Sequence, residues 1–274
     1  MSDQVFLVRY ETPRDVEVYD CNGRTIEYHI EVSALQQPSD LTSCAEFRCL
    51  YISDWSTPYR VHRVEPNSGE TSELPVWDKP EGISVTPHPT CHVIVACGEV
   101  RKIKEFTTLG HLVREIQLQD DIGGHLFHAV ETDGRFAVGC GYRSDPLHRV
   151  CIVDSGGRVV RSYGGSPGSA AGRLKNPRRL AVDGDGNVFV VDDTRVSLLS
   201  PTLADVRELA SARDVNRGFV PVRLCLDAAR GRILVPDGRN TDVLVFQVRR
   251  NPAVELEGSV GIGKVEGKGK KGGI

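Results

Sequence analysis

The segment Asp183-Gly184-Asp185-Gly186-Asn187 places oxygen-bearing side chains at alternate positions, the spacing with which a calcium loop begins. A helix-flanked loop of that kind needs glycine at its sixth position and a bidentate glutamate at its twelfth. Counting from Asp183 puts Val188 and Thr194 there. The flanks, "RRLAVD" and "NVFVVDD", are rich in β-branched and aromatic residues, so the segment reads as the tight turn of a β-hairpin. His88, Cys91 and His92 offer three zinc-ligand types within five residues, but they share a turn with Pro87 and Pro89 and have no second cluster at zinc spacing. No GxSxG, Walker loop or GxGxxG stands in a strand-turn-helix context. The sequence predicts no catalytic residue, no metal ligand and no cofactor.

A second set of residues offers binding chemistry. His125, His128, Lys175, Arg178, Arg179 and Arg223 lie at or just before the starts of apolar runs from residue 125 onward, while Asp40 and Glu81 hold the corresponding places earlier in the chain. Whether these groups meet depends on the elements that carry them.

Those elements repeat. "LAVDGDGNVFVVDD" aligns with stretches beginning at Leu224, His128, Ile83 and Leu41, each a strand, a turn and a second strand. The second strands end near Tyr10, Asp54, Cys97, Cys140, Asp192 and Asp237, at spacings of 44, 43, 43, 52 and 45 residues. Two further strands follow each pair, divided by turns with Gly or Pro, and Leu203 to Val215 belongs to these strands and not to a helix. A period of about 40 to 50 residues with four short strands per unit is that of propeller blades. The expected fold is all-β, a six-bladed β-propeller of four-stranded antiparallel blades over residues 1–254, with the first blade lacking its inner strand. Residues 255–274, glycines interspersed with lysines, read as a disordered basic tail. The Gly/Ser/Ala-rich stretch Gly164 to Lys175 reads as a surface loop.

Composition sets outer limits. The 274 residues carry a net charge of -3 and no apolar run near the ~20 residues of a membrane helix, and the polar start lacks the pattern of a signal peptide, so a cytoplasmic protein is expected. The eight cysteines form no CxxC pair, and Cys97, Cys140, Cys151 and Cys225 fall in apolar strands, where free thiols act as small core residues. Charge is uneven: residues 1–75 sum to -7 and residues 150–274 to +6.

In "GRLKNPRRLAVDGDGNVFVVDDTRVSLLSP" the chain resembles an NHL repeat. Gly172, Pro177, Val182, Asp183, Gly186, Asn187, Val191, Asp192 and Arg195 fill the pattern's positions. The likeness extends to "PVRLCLDAARGRILVPDGRNTDVLVFQV" and covers about the C-terminal third. It is a resemblance to animal NHL-repeat proteins, the tripartite-motif class included, without that class's RING, B-box or coiled coil. The resemblance implies a non-catalytic module that binds a protein partner, or alternatively single-stranded RNA, on one face of the ring, with no membrane or double-stranded DNA partner. The rim groups His125, His128, Lys175, Arg178, Arg179 and Arg223 are its candidate contacts. The alternative is a calcium-dependent lactonase of the gluconolactonase or paraoxonase type, with Asp40 and Glu81 as contributors of oxygen ligands.

Overall fold

The computed structural model describes residues 4–8, 14–20, 26–211, 223–228, 230–236, 243–247 and 261–263. Apart from one 3-10 turn at Asp120–Ile122, its regular elements are strands, as the alternating and β-branched runs dictate. The first sheet contains β1 (Gln4–Val8), β2 (Asp15–Asp20) and β3 (Ile26–Glu31). The second contains β4 (Pro38–Cys44), β5 (Cys49–Asp54), β6 (Arg60–Val64) and β7 (Thr71–Pro75), and the third β8 (Pro80–Val85), β9 (Val93–Cys97), β10 (Lys102–Phe106) and β11 (Leu112–Gln117). The fourth has β12 (Leu126–Thr132), β13 (Arg135–Cys140), β14 (His148–Val153) and β15 (Val159–Gly165). The fifth has β16 (Arg179–Val182), β17 (Val188–Val191), β18 (Arg195–Leu199) and β19 (Val206–Ser211). The sixth has β20 (Cys225–Asp227), β21 (Arg232–Pro236), β22 (Val243–Gln247) and β23 (Gly261–Gly263).

Each sheet is an antiparallel meander in chain order, and the first strands β4, β8, β12, β16 and β20 pack side by side. That is a β-propeller of four-stranded antiparallel blades. The blade count corrects the sequence expectation: five blades are four-stranded, not six, because β1 pairs only with β2 and the first sheet has three strands. Gly261–Gly263 fall within the expected tail yet pair with β22 as its fourth strand, while the rest of 255–274 and the boundary at 254 lie outside the described residues. The strand ends predicted at Tyr10 and Asp237, and Cys21, lie there too.

Apolar side chains fill the space between successive sheets. Val16, Val18 and Leu35 meet Leu50 and Ile52; Tyr51 and Val61 meet Val93, Val95 and Phe106; Ile94 and Ile103 meet Phe136 and Val138. Ala137 and Val150 then meet Leu180, Val188 and Val190, and Phe189 and Val191 meet Ile233 and Val235. Burial of such side chains, at about 1.5 to 3 kcal/mol each, is the main favourable contribution to the stack. Cys44, Cys49, Cys91, Cys97, Cys140 and Cys151 are free and buried, but Cys225, expected in the core, is exposed, since β20 borders a cavity.

The Asp183–Asn187 segment is the β16–β17 hairpin turn. The Asp183 carboxylate accepts from the amides of Asp185 (3.0 Å) and Asn187 (2.9 Å) and from Asn187 Nδ2 (2.9 Å), and Gly186 supplies the positive φ of 80°.

Candidate functional site

Pro38 and Pro80 open β4 and β8, where a missing amide costs the ladder little, and the residues that follow enter the channel between the inner strands. Asp40 sits there, buried, with Arg179 Nε 3.2 Å and Arg223 Nε 3.6 Å from Oδ1, His128 Nε2 3.5 Å from Oδ2, and the Ile83 amide donating to Oδ2 at 3.0 Å. The carboxylate comes from the second sheet, the histidine from the fourth, and the arginines from the start of the fifth and the approach to the sixth. Burial alone would raise the Asp40 carboxyl. The charges of Arg179, Arg223 and His128 and the Ile83 amide outweigh it and hold the group below its ordinary value.

The arginines do more than pair with Asp40. Arg179 Nη2 donates to Ser39 O and Glu81 O, each at 3.2 Å, and Nη1 to Arg178 O at 2.8 Å. Arg223 Nη2 also donates to Ser39 O. His128 Nε2 faces Ile83 O at 3.1 Å, and burial pushes its pKa down to about 4, so near neutral pH the ring is uncharged and Nε2–H donates. The ring fits because Gly82 has no Cβ: one built there would lie 2.6 Å from His128 Cδ2 and 2.5 Å from Phe127 O. Arg179 and His128, each 5% exposed, are thus parts of the channel wall and not of its outer lip.

A second group surrounds it. Glu81 Oε1 is 3.3 Å from His125 Nε2 and 3.5 Å from Lys79 Nζ, whose other neighbour is Glu99 at 3.7 Å. Burial would raise Glu81, but the hydrogen bond and charge of His125, followed by Lys79, hold it down. His125 stands against Gly98, where a Cβ would come within 2.3 Å of its Nε2. Its ring packs with Phe127 (5.1 Å) and Tyr142 (5.8 Å), which lie 5.5 Å from each other. Arg178 lies over Phe127 at 5.6 Å, Arg143 over Tyr142 at 4.8 Å, and Lys79 over Trp55 at 4.2 Å. Three aromatic rings and two guanidinium groups thus form one cluster at the channel mouth.

Polar side chains fix the loops that carry it. Asp145 Oδ2 accepts from the amides of His125 (2.9 Å) and Tyr142 (2.8 Å). Asn176, at φ 51°, accepts from the Arg143 amide (2.9 Å), donates through its side chain to Asp193, and donates its own amide to His148 Nδ1 (2.8 Å). Asp193 in turn holds Arg178 Nε at 3.2 Å. Lys175, by contrast, is exposed beside this network.

The sequence pattern brought His125, His128, Arg178, Arg179 and Arg223 to one place, and it missed Trp55, Phe127, Tyr142 and Arg143. A signal for two of them was present: Trp55 follows Asp54 as Gly141 follows Cys140, so the turns after the second strands line up on the same mouth as the starts of the first. At the HPTCH motif, His92 Nδ1 lies 2.6 Å from Glu105 Oε1, part of an ion-pair group with Arg114 Nε at 2.6 Å from Oε2.

No protein-family model matches the chain, and no curated protein matches its sequence. Solved structures do match in shape. A chain of a nidogen/laminin complex superposes with a TM-score of 0.69 over 90% of this chain and 89% of its own, at 15% identity. A protein of unknown function from Bacteroides caccae gives 0.62 over 89% and 90%, at 13% identity. Identities this low establish the shared fold, and the fold is the propeller.

Proposed function

We propose that the chain is a non-catalytic recognition module of the NHL-repeat kind whose channel mouth binds a protein partner. The observation that carries this is the cluster of His125, Phe127 and Tyr142, in which Phe127 is buried while His125 and Tyr142 are partly exposed, with Arg178 and Arg143 above the rings. Tyrosine, tryptophan and arginine held rigidly at the centre of a surface are the side chains that dominate protein interfaces. The nidogen/laminin neighbour, a chain within a protein complex, supports the same reading. Carboxylates beside the cations, Glu99 at Lys79 and Asp193 at Arg178, work against phosphate and favour a polar protein surface over single-stranded RNA. Arg179 and Arg223 work against the calcium-lactonase alternative, since they would set two positive charges against a cation at Asp40. The free buried thiols fit a reducing compartment such as the cytoplasm.

The test is capture of a crosslinked partner by wild type and by Tyr142→Ala with Arg143→Glu, in parallel with a random single-stranded RNA pool and with calcium or chelator in a thermal melt. The expected result is a protein captured by wild type and lost in the double variant. Capture undiminished by the double variant would remove this face as the site, salt-sensitive RNA binding would replace the partner class, and stabilisation by calcium would revive the enzyme.

A further inference from the structure

The Gly/Ser/Ala-rich stretch after the fourth blade is a folded platform. It runs from Gly165, the end of β15, to Arg179, the start of β16. Within the blade Leu126 and Arg149 lie opposite Cys140, and Gly165 lies opposite His148, so the stretch stands on the channel-mouth face beside the loop that carries Tyr142 and Arg143. Its turns close on themselves, the Gly168 amide donating to Leu174 O at 2.9 Å and the Arg173 amide to Ala170 O at 3.0 Å. Arg195 of β18 holds it from the next blade, donating through Nη1 to Ser169 O at 3.2 Å and through Nη2 to Arg173 O. Leu174 is buried in the core between the fourth and fifth sheets, and its neighbours Arg173 and Lys175 are both exposed.

The carboxylates of this sector are taken up by its own scaffold. Asp145 Oδ2 accepts the amides of His125 and Tyr142, Asp192 accepts those of Lys175, Thr194 and Arg195, and Asp193 accepts the Asn176 side chain and faces Arg178. Arg143, Arg173 and Lys175 are exposed, and none of the three has an ion-pair partner among the described residues. The third blade differs. On the same face Lys79 stands 3.7 Å from Glu99 and Arg101 3.0 Å from Asp120, acids whose side chains are 63% and 97% exposed. Asn176 joins the two cationic loops, since its Oδ1 holds the Arg143 amide at 2.9 Å and it follows Lys175 in the chain. The three cations thus border one wedge of the mouth, next to the Tyr142 ring.

We propose that this wedge is the docking site for an acidic segment of the protein partner, whose aspartate or glutamate side chains meet Arg143, Arg173 and Lys175 while a neighbouring apolar or aromatic side chain covers Tyr142. The inference rests on the protein-recognition reading and specifies the chemistry of the contact. Because the loops are already fixed, docking orders side chains and not backbone, which lowers its entropic cost. An RNA strand would carry an unbroken row of phosphates past Asp145 and Asp193, whereas the acids of a peptide are spaced by its sequence.

The probe is a rhodamine-labelled peptide Ser-Glu-Tyr-Glu-Ser-Glu-Ser, with a control in which every Glu is Gln and a labelled octauridylate RNA as a separate arm. Anisotropy at low and moderate salt reads affinity for wild type, Arg143→Gln, the double variant Arg173→Gln with Lys175→Gln, and Arg135→Gln, an exposed arginine at the opposite end of the fourth sheet. Expected are saturable, salt-sensitive binding of the Glu peptide and a loss of about tenfold for the Gln peptide and for the double variant. Arg143→Gln should lose about fivefold and Arg135→Gln nothing. The substituted side chains are exposed, so all variants should melt with wild type. Equal binding of the Gln peptide would overturn the proposal. So would an equal loss in Arg135→Gln, which would make the attraction one of diffuse charge, or RNA bound more tightly than the Glu peptide and lost in the same variants. Failure of the peptide, alongside a partner captured by wild type and lost in the Tyr142 and Arg143 double variant, sinks this inference and leaves the proposed function standing.

Discussion

Asp192 and Asp40 are both buried carboxylates, and they are kept in place by different means. Asp192 closes the second strand of its blade and is held by that blade's own turn: it accepts from the Thr194 amide (2.7 Å) and hydroxyl (2.6 Å), the Arg195 amide (3.1 Å) and the Lys175 amide (3.4 Å), with Arg195 Nε 3.5 Å away. Burial still dominates, and its carboxyl is raised above the ordinary value. Asp54 fills the same place in the second sheet, accepting from the amides of Gln36 (2.8 Å), Gln37 (3.1 Å) and Ser56 (2.7 Å). Asp40 is met by guanidiniums from two other sheets and is lowered. The strand-end acids tie a blade's own loops together, while the channel acid ties distant blades to each other. An acid that recurs with the repeat is serving the backbone, and one that departs from it marks a place where the blades are made unequal.

The comparison breaks most severely at Asp40. Asp40→Ala should destabilise by about 4 kcal/mol, because it leaves Arg179 and Arg223 in the channel without their anion. Asp192→Ala should cost about 3 kcal/mol by stranding buried amides of the blade, yet should leave partner binding per folded molecule unchanged. Urea unfolding of both variants checks the order. An Asp192 loss equal to or above that of Asp40 would mean that the cross-channel pairing contributes less than the local clamp.

Acid titration sharpens the same contrast through signs. His128 has a folded pKa of about 4, below the unfolded value, so between pH 6.5 and 4 the unfolded chain takes up a proton that the folded one refuses, and stability falls as pH falls. From pH 7 to 4.5 this should amount to about 2 kcal/mol, absent from His128→Gln. Asp40, lowered, adds a loss that begins only below the unfolded carboxyl value of about 4. Asp192, raised, acts oppositely: the folded state takes up its proton first, so stability is regained as pH drops through its folded value. Unfolding free energies of the wild type and His128→Gln across this range decide it, and parallel curves would exclude His128 as the source.

The clamp was legible in the sequence and the channel was legible only in part. Asp54 and Asp192 recur at one place in the alignment, beside turns whose Gly and Asn have a local reason to be there, so periodicity finds them. The strand starts put Asp40, His128, Arg179 and Arg223 on one mouth, but nothing in their spacing says that Asp40 lies within 4 Å of both arginines, since those contacts close across more than a hundred residues. The aromatic cluster was hidden for a different reason. Phe127 reads as one more strand residue and Tyr142 as one more loop residue until Gly98 is seen to admit His125, whose ring packs with both. Six blades were counted where five are four-stranded because the period registers the first unit, β1 to β3, as a repeat even though its inner strand is missing among the described residues.

The smallest effect on stability should come from Arg143→Glu. Arg143 is exposed, and its guanidinium rests 4.8 Å above the Tyr142 ring, a contact whose loss costs about 0.5 kcal/mol at such a site. The loop beneath it does not depend on the side chain, because Asp145 and Asn176 hold the amides of Tyr142 and Arg143. Partner capture should nevertheless fall by at least about tenfold, since a carboxylate would then stand where the mouth presents a cation. A melting temperature within a degree or two of wild type with capture abolished would separate the binding face from the channel acids beneath it. A large loss of stability would instead place Arg143 among the residues that, like Arg179, hold the ring together.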